Sequence, residues 1–467
     1  MKRTDTVCVV TLGCPKNLVD SEVMAAQLGR SGLTLVGSPR RADAIVINTC
    51  AFIKAARDEA FREIERAARL RRRGPCRVLV VAGCLAEGFP DEVRQRFPEV
   101  DLLLGTGEVG EVAAEVGRLL AADPARRAAP RARHGPGYLP TGVAPRLLGT
   151  PAHYAYLKIA EGCLHGCAYC LIPRLRGPYR SRPLEDLVEE TRGLETSGVR
   201  EVVLVAQDTT AWGRDLPGRP DLTVLLRRIL VETDLPWLRV LYGYPSTLPS
   251  GLVDLLAEGG AAGGGRRLCR YLDLPMQHAS DRILRSMRRP ETGQALLDLV
   301  ERLRSCVPDV TIRSTFIIGF PGENDQDFQD LLAFLEAARL DRVGFFAYSP
   351  EPGTPAAALD GQVPESLKRE RLELAQEVQL RVAAERRRRL IGSYQRIIVD
   401  RVSTRRQGVE VVGRGEGDAP EIDGQTVVTW PAVDRPPAAG EFVDVLITGA
   451  DAYSFRAEPA ACLGSAG

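Results

Sequence analysis

The sequence predicts an α/β protein in three parts: an N-terminal open parallel α/β domain, a partial (β/α)6 barrel and a small C-terminal antiparallel β-barrel. Three observations carry that expectation. Short β-rich runs alternate with helical patterns over residues 5–120, the sign of parallel layering. Over residues 149–388 the strand-then-helix unit repeats six times, too often for a small sandwich and well suited to a barrel. Over residues 389–459 the chain turns to short alternating strands without a long helix, as in a small closed sheet. A chain of 467 residues, 44% hydrophobic and 26% charged, has normal composition for a globular protein of several domains.

In the first domain, strands are expected at Thr6–Leu12, Ala44–Asn48, Arg77–Ala82 and Leu102–Leu104. Helices fit Ser21–Ser31, Ala55–Arg73 and Pro90–Arg96. Residues 121–148, rich in Pro, Gly, Ala and Arg, read as a linker. The core strands are expected at Tyr154–Ala160, Glu201–Asp208, Leu238–Tyr242, Tyr271–Leu274, Thr311–Ile318 and Arg342–Tyr348. Helical stretches between them include Leu184–Ser197, Leu222–Thr233, Gln294–Cys306 and Asp325–Ala338, and Gly259–Gly265 reads as a flexible connection. A long helix, Glu365–Leu390, closes the core. The last domain follows with strands at Gln395–Val399, Val409–Val412, Thr426–Trp430 and Phe442–Ile447.

Composition narrows the function. The longest apolar runs, such as Val78 to Ala82, are strand-length, so no membrane span is expected. The N-terminus lacks the apolar stretch of a leader, and a cytoplasmic protein is expected. Net charge is +1, so no global field favours nucleic acid or membrane. The basic residues are 57 Arg and 5 Lys, a bias that lowers the weight of any one arginine cluster. Eleven cysteines, an odd number without an export signal, point to metal binding or catalysis rather than a disulfide scaffold. Without a coiled coil or a large apolar helix face, a monomer is expected.

Two sets of three cysteines stand out. Cys163, Cys167 and Cys170 lie in one tight loop directly after a core strand. Three thiolates there can hold an iron–sulfur cluster with one iron left open, since such clusters normally take four. Zinc held by the same three and His165 is the rival. Cys14, Cys50 and Cys84 each lie one or two residues beyond a strand of the first domain, 36 and 34 residues apart. Ligands of an open parallel sheet gather outside the strand C-termini, so these three are expected to converge on a second cluster, with chance burial as the alternative. Cys8, Cys76, Cys269, Cys306 and Cys462 read as ordinary core or surface residues.

The Cys163-x-x-x-Cys167-x-x-Cys170 spacing, with Tyr169 before the last cysteine, resembles the radical S-adenosylmethionine (SAM) signature. With three strand-end cysteines before it and a β-barrel after it, the chain resembles a radical SAM methylthiotransferase: an MTTase N-terminal cluster-binding domain, a radical SAM core and a TRAM domain. Thr11 to Glu22, Ile172 to Arg182, Tyr271 to His278 and Tyr348 to Thr354 resemble the RimO branch, which modifies an aspartate of ribosomal protein S-twelve. The alternative is the MiaB-like branch, which modifies an adenosine of transfer RNA and usually has Gln-Met-Asn where this chain has Pro15-Lys16-Asn17. Leu164-His165 departs from the family's usual residues after Cys163, at positions between ligands.

The resemblance implies two [4Fe-4S] clusters and SAM, with a reducing partner such as flavodoxin or ferredoxin. Cleavage of SAM at the cluster of Cys163, Cys167 and Cys170 would give a 5′-deoxyadenosyl radical. That radical would take hydrogen from the aspartate β-carbon. Cys14, Cys50 and Cys84 would hold the cluster that presents a methylated sulfur. Tyr169 is expected near the adenine, Gly319 in a strand-end turn against SAM, and Gln207 and Asp208 facing SAM or substrate. Arg174, Arg176, Arg180 and Arg182 follow the loop and could receive a substrate carboxylate. Between Tyr394 and Glu458 there are seven Arg and eleven acids, and this negative balance fits a basic protein target better than RNA.

Overall fold

Strand residues alternate between two faces, and in the first domain both faces are covered. The computed structural model describes residues 4–122, 138–141, 144–259, 266–405, 408–431 and 435–460. Most of the expected linker, the residues 260–265 of the glycine connection and Cys462 lie outside the described residues. Ile45, Ile47, Leu79 and Val81 pack against Phe61 and Ile64 on one side. Val46 and Val80 pack against Val23, Met24, Val112 and Val116 on the other. The result is a five-stranded sheet in the order Thr34–Leu35, Thr6–Thr11, Ala44–Thr49, Val78–Gly83, Leu102–Leu104, with every pairing parallel. A helix over Val112–Ala121, absent from the sequence reading, closes the second face.

The core has the six expected strands. Tyr154–Lys158, Glu201–Val205 and Trp237–Val240 pair in parallel, as do Tyr271–Asp273, Thr311–Ile318 and Arg342–Ala347. A parallel bridge between Leu238 and Leu268 joins the two halves. Outward residues such as Leu157, Leu204, Leu272 and Phe316 meet Leu225, Leu296 and Leu331 of the surrounding helices. Inside, Tyr154, Tyr156, Val203, Trp237 and Tyr271 form a separate cluster. Val19 of the first helix, Pro15–Arg30, enters that cluster from the N-terminal domain.

Five strands, Tyr394–Arg405, Gly408–Gly415, Thr426–Trp430, Phe442–Ala450 and Phe455–Pro459, form a closed barrel around Ile397, Val399, Val411, Val428, Val445 and Ile447. Two details depart from the sequence reading. A fifth strand, Phe455–Pro459, completes it, and this strand pairs with Thr426–Trp430 in parallel, so the barrel is not wholly antiparallel.

This small barrel docks on the N-terminal ends of the core strands. Tyr154 donates to Glu421 (2.8 Å), Tyr271 to Asp423 (2.6 Å), Arg239 to the Glu416 carbonyl (2.7 Å) and Arg342 to Asp418 (2.6 Å). Glu201 accepts from Arg414 (2.7 Å), and Gly417 lies against Thr311. Segment 414–423 therefore touches the start of all six strands. Asp400, Glu416, Asp418, Glu421 and Asp423, five of the eleven acids, bind residues of the core or Arg414, so fewer are left for an outside basic target than the charge count alone implies. Much of that charge is spent inside the molecule.

Candidate metal centres

The parallel register ends three neighbouring strands in one line, with Thr11 beside Asn48 and Thr49 beside Gly83. Each strand then turns into a cysteine. Cys14 is the N-cap of the first helix, Cys50 opens a loop, and Cys84 begins the short helix Cys84–Gly88. Gly13, at φ +91°, lets the first turn approach the second: a Cβ there would stand 2.5 Å from Cβ and 3.1 Å from Sγ of Cys50. Asn17 staples the turns by donating to the carbonyls of Leu12 (3.0 Å) and Thr49 (2.9 Å). The three thiols perturb one another, and all three feel Arg176. Burial pushes Cys84 up to about 12 against the pull of Arg176. At Cys14 burial acts in the same direction, but Lys16, Arg176 and nearby amide N–H groups outweigh it and lower the thiol pKa.

The second trio hangs from the core. Gly162, at φ +79°, turns the chain against Pro178, and the Cys163 amide donates to the Gly177 carbonyl (3.3 Å). The loop is then tied from the far side. The Ala168 amide donates to the Met287 carbonyl (3.0 Å), and the Ala168 carbonyl accepts from Ala356 (2.8 Å). Amides of His165 and Ile172 point at the sulfurs of Cys163 and Cys170, each at 3.4 Å. Burial pushes Cys163 up to about 11 and Cys170 up to about 12. His165 stacks on Tyr244 with ring centroids 3.6 Å apart, and its Nε2 lies 2.7 Å from Asp208. The other side of Tyr244 carries the Arg289 guanidinium, 4.1 Å from the ring centroid. His165 is thus occupied as an anchor of the loop, which weighs against its being a fourth ligand to zinc. Among the described residues, no three His, Cys, Asp or Glu side chains close around a single ion. A cluster of several irons spreads its thiolates over separate atoms and does not require them to.

Between the trios lies a buried polar network. Lys158 binds Asp20 and Glu161, while Arg176 binds Asn17, Asp20 and Glu161. Burial alone would raise the Glu161 carboxyl, but Arg176 and Lys158 hold it well below the usual carboxylate range. Lys16 sits over the Tyr242 ring, 3.5 Å from its centroid, beyond the end of strand Trp237–Val240. Both trios therefore face the C-terminal end of the core, where ligands of such barrels bind.

Three family profiles match in series: the uncharacterized protein family UPF0004 over residues 6–105, the radical SAM superfamily over 157–335 and the TRAM domain over 391–459. A ribosomal protein uS12 methylthiotransferase RimO of Desulforudis audaxviator is 48% identical over 451 residues, 97% of this chain and 96% of its own. The chain belongs to the RimO family. RimO proteins of Pelotomaculum thermopropionicum and Syntrophus aciditrophicus are each 43% identical, covering 96% and 98% of this chain and 98% of their own. Among solved structures, the radical SAM methyltransferase TsrM of Kitasatospora setae has a TM-score of 0.54 at 16% identity, covering 76% of this chain and 74% of its own. That likeness shows a shared fold.

Other residues singled out in this RimO-family sequence fall in varied places. Tyr169 lies beside Cys167, where burial and then that thiol raise its phenol pKa. Gln207 donates to Glu161 (3.0 Å) and keeps an amide oxygen with no partner. Gly319, at φ +74°, donates to Glu323 (2.8 Å), and a side chain there would overlap Lys368. Asp208 is turned to His165, Thr210 and Thr247. Of the four arginines, Arg176 and Arg182 are buried in ion pairs and Arg174 donates to the Gly88 carbonyl. Arg180 alone keeps buried N–H groups, at Nε and Nη2, with no partner. Asp20, Lys158, Glu161, Tyr244 and Arg289 escaped the sequence reading. Lysine itself was the available signal, because in a chain with 5 Lys to 57 Arg the buried Lys158 stands out.

Proposed function

We propose that the protein is a methylthiotransferase that places a methylthio group on the β-carbon of an aspartate of ribosomal protein uS12 by radical SAM chemistry. The carrying observation is a pair of cysteine trios, one at the ends of three neighbouring strands and one in a single loop, facing one end of the core in a chain that aligns nearly end to end with RimO proteins. In this reading Cys14, Cys50 and Cys84 hold one [4Fe-4S] cluster, and Cys163, Cys167 and Cys170 hold another. When bound, the core cluster and SAM supply the radical, and the other cluster supplies the methylated sulfur.

The chain's own part is to hold, neutralise and shield. Arg176 and Lys16 set positive charge against the thiolates of Cys14 and Cys50. His165, Tyr244 and Arg289 pin the second loop, and outer partners of this kind orient metal ligands. Tyr169, Gln207 and Gly319 are assigned to the SAM side, where Gln207 offers an open acceptor. A low-potential carrier such as flavodoxin or ferredoxin delivers the electron, and the enzyme works as a cytoplasmic monomer. Among the described residues, no helix is long and apolar enough to cross a membrane.

Mass spectrometry of uS12 from cells with and without the gene tests the substrate. The aspartate should be modified only with the gene; equal modification in both would remove the assignment. Anaerobic reconstitution should load about eight irons per chain, and about four in Cys14→Ala or in Cys163→Ala. Cys14→Ala should still form 5′-deoxyadenosine, whereas Cys163→Ala should not. Full iron content in Cys14→Ala would remove the first trio from the metal assignment.

A further inference from the structure

Three carboxylates stand near the C-terminal mouth of the core, and each already has its cation. Glu161 accepts from Lys158 (2.8 Å) and Arg176 (2.9 Å), and Asp20 pairs with the same two. Asp273 accepts from Arg313 (2.8 Å) and from the Tyr242 amide (3.1 Å). A fourth cation is left over. Lys16 is half-buried, and its ammonium makes no hydrogen bond or ion pair among the described residues. The Tyr242 ring, 3.5 Å from Nζ, covers one side of it with a cation–π contact. Cys14, Arg176, Asp273 and Glu161 all lie close enough to act on its charge. Three N–H donors partly withdrawn from water, without an acceptor, are costly to keep.

The turn that places Cys14 also places this lysine. Lys16 is the second residue of helix Pro15–Arg30, two positions after the cysteine that caps it. Tyr242 follows strand Trp237–Val240 in a left-handed turn, at φ +61°. The ammonium therefore stands between the first trio and the mouth of the core. In an aspartate the carboxylate is one bond from the β-carbon. A β-carbon turned toward the first trio brings its carboxylate beside that trio, where Lys16 offers a compact point charge. A neutral side chain in the same place would leave the ammonium without its ion pair.

We propose that Lys16 receives the side-chain carboxylate of the target residue and so selects aspartate over its neutral isostere, asparagine. The assignment rests on the uS12 reading and adds to it the group that recognises the acid. The ion pair also fixes the direction of the β-carbon, because the carboxylate is held at one end and the peptide backbone at the other.

Fluorescence anisotropy tests it, with reconstituted full-length enzyme and labelled uS12 peptides that carry aspartate or asparagine at the target position. The wild type should bind the aspartate peptide roughly tenfold or more tightly than the asparagine peptide. Lys16→Met should bind the two within about threefold of each other, and Lys16→Arg should keep most of the preference. Cys14→Ala, which lacks the neighbouring cluster but retains the ammonium, should keep it too and separates loss of charge from loss of iron. The proposal is overturned if Lys16→Met still prefers aspartate, if the preference follows iron content rather than Lys16, or if Arg180→Met removes it as fully. Mass spectrometry of uS12 from cells scores the modification separately. An enzyme that modifies uS12 yet binds both peptides alike would overturn the Lys16 assignment alone.

Discussion

Arg176 ties the segment that follows the second cysteine trio to the thiols of the first. It lies in the chain just after Cys170, yet its guanidinium is buried among Asn17, Asp20 and Glu161 and faces the thiols of the other trio. Arg176→Met should cost about 3–5 kcal/mol in urea unfolding, because it leaves buried carboxylates with Lys158 as their remaining strong partner. Glu161 gives the pH counterpart. Its folded pKa is depressed, so its stabilising contribution is complete above the ordinary glutamate value of about 4.3 and is lost as pH falls toward the folded value. Wild-type stability should therefore drop with acidification below that value, and Glu161→Gln should show a shallower drop. Parallel curves for the two proteins would sink the assignment. Cysteines were legible at this scale because spacing and strand ends mark them. Their charged supports were not, since Asp20, Lys158 and Arg176 meet only after residues far apart in sequence are packed together.

Turns decide whether the thiols meet. Gly13 and Gly83 both hold positive φ beside a neighbouring turn, where any side chain would collide. Gly13→Ala should retain the fold of the distant small barrel but lose more than 1 kcal/mol of stability and about half of the reconstituted iron. Wild-type iron content would count against the tight approach of Cys14 to Cys50. The elements themselves show what periodicity reports. All six core strands were read within a few residues because their apolar runs are dense. The first helix was expected from Ser21 but starts at Pro15, directly after its cysteine cap. Its early buried positions include Asn17, Asp20, Ser21 and Glu22, a polar face packed on a polar network, which hydrophobic spacing cannot reveal. Pro15 at the first helical position was the signal that could have placed it.

For the molecule as a whole, the small barrel completes the base of the core. Glu201 is fully buried between Arg239 and Arg414, and Arg414 comes from the small barrel. Arg414→Ala should destabilise by about 3 kcal/mol or more, because it strips a partner from a buried carboxylate. Core and small barrel should melt in one calorimetric transition; two separate transitions would contradict their mutual dependence. The three-part architecture was legible in the sequence, because the change from strand–helix repeats to short strands marks it. The meaning of the acids in residues 394–458 was not, because a charge count carries a sign but not the partner each charge faces.

That same docking has a consequence for how the chain is made. Synthesis delivers the six core strands well before segment 414–423 leaves the ribosome. Until it does, Glu201, Arg239, Arg270 and Arg342 lack the small-barrel partners that complete their burial. A nascent core must wait with a hydrated underside, and a premature stop upstream of Arg414 would strand it there. Such a fragment would be a substrate for proteolysis rather than a smaller enzyme.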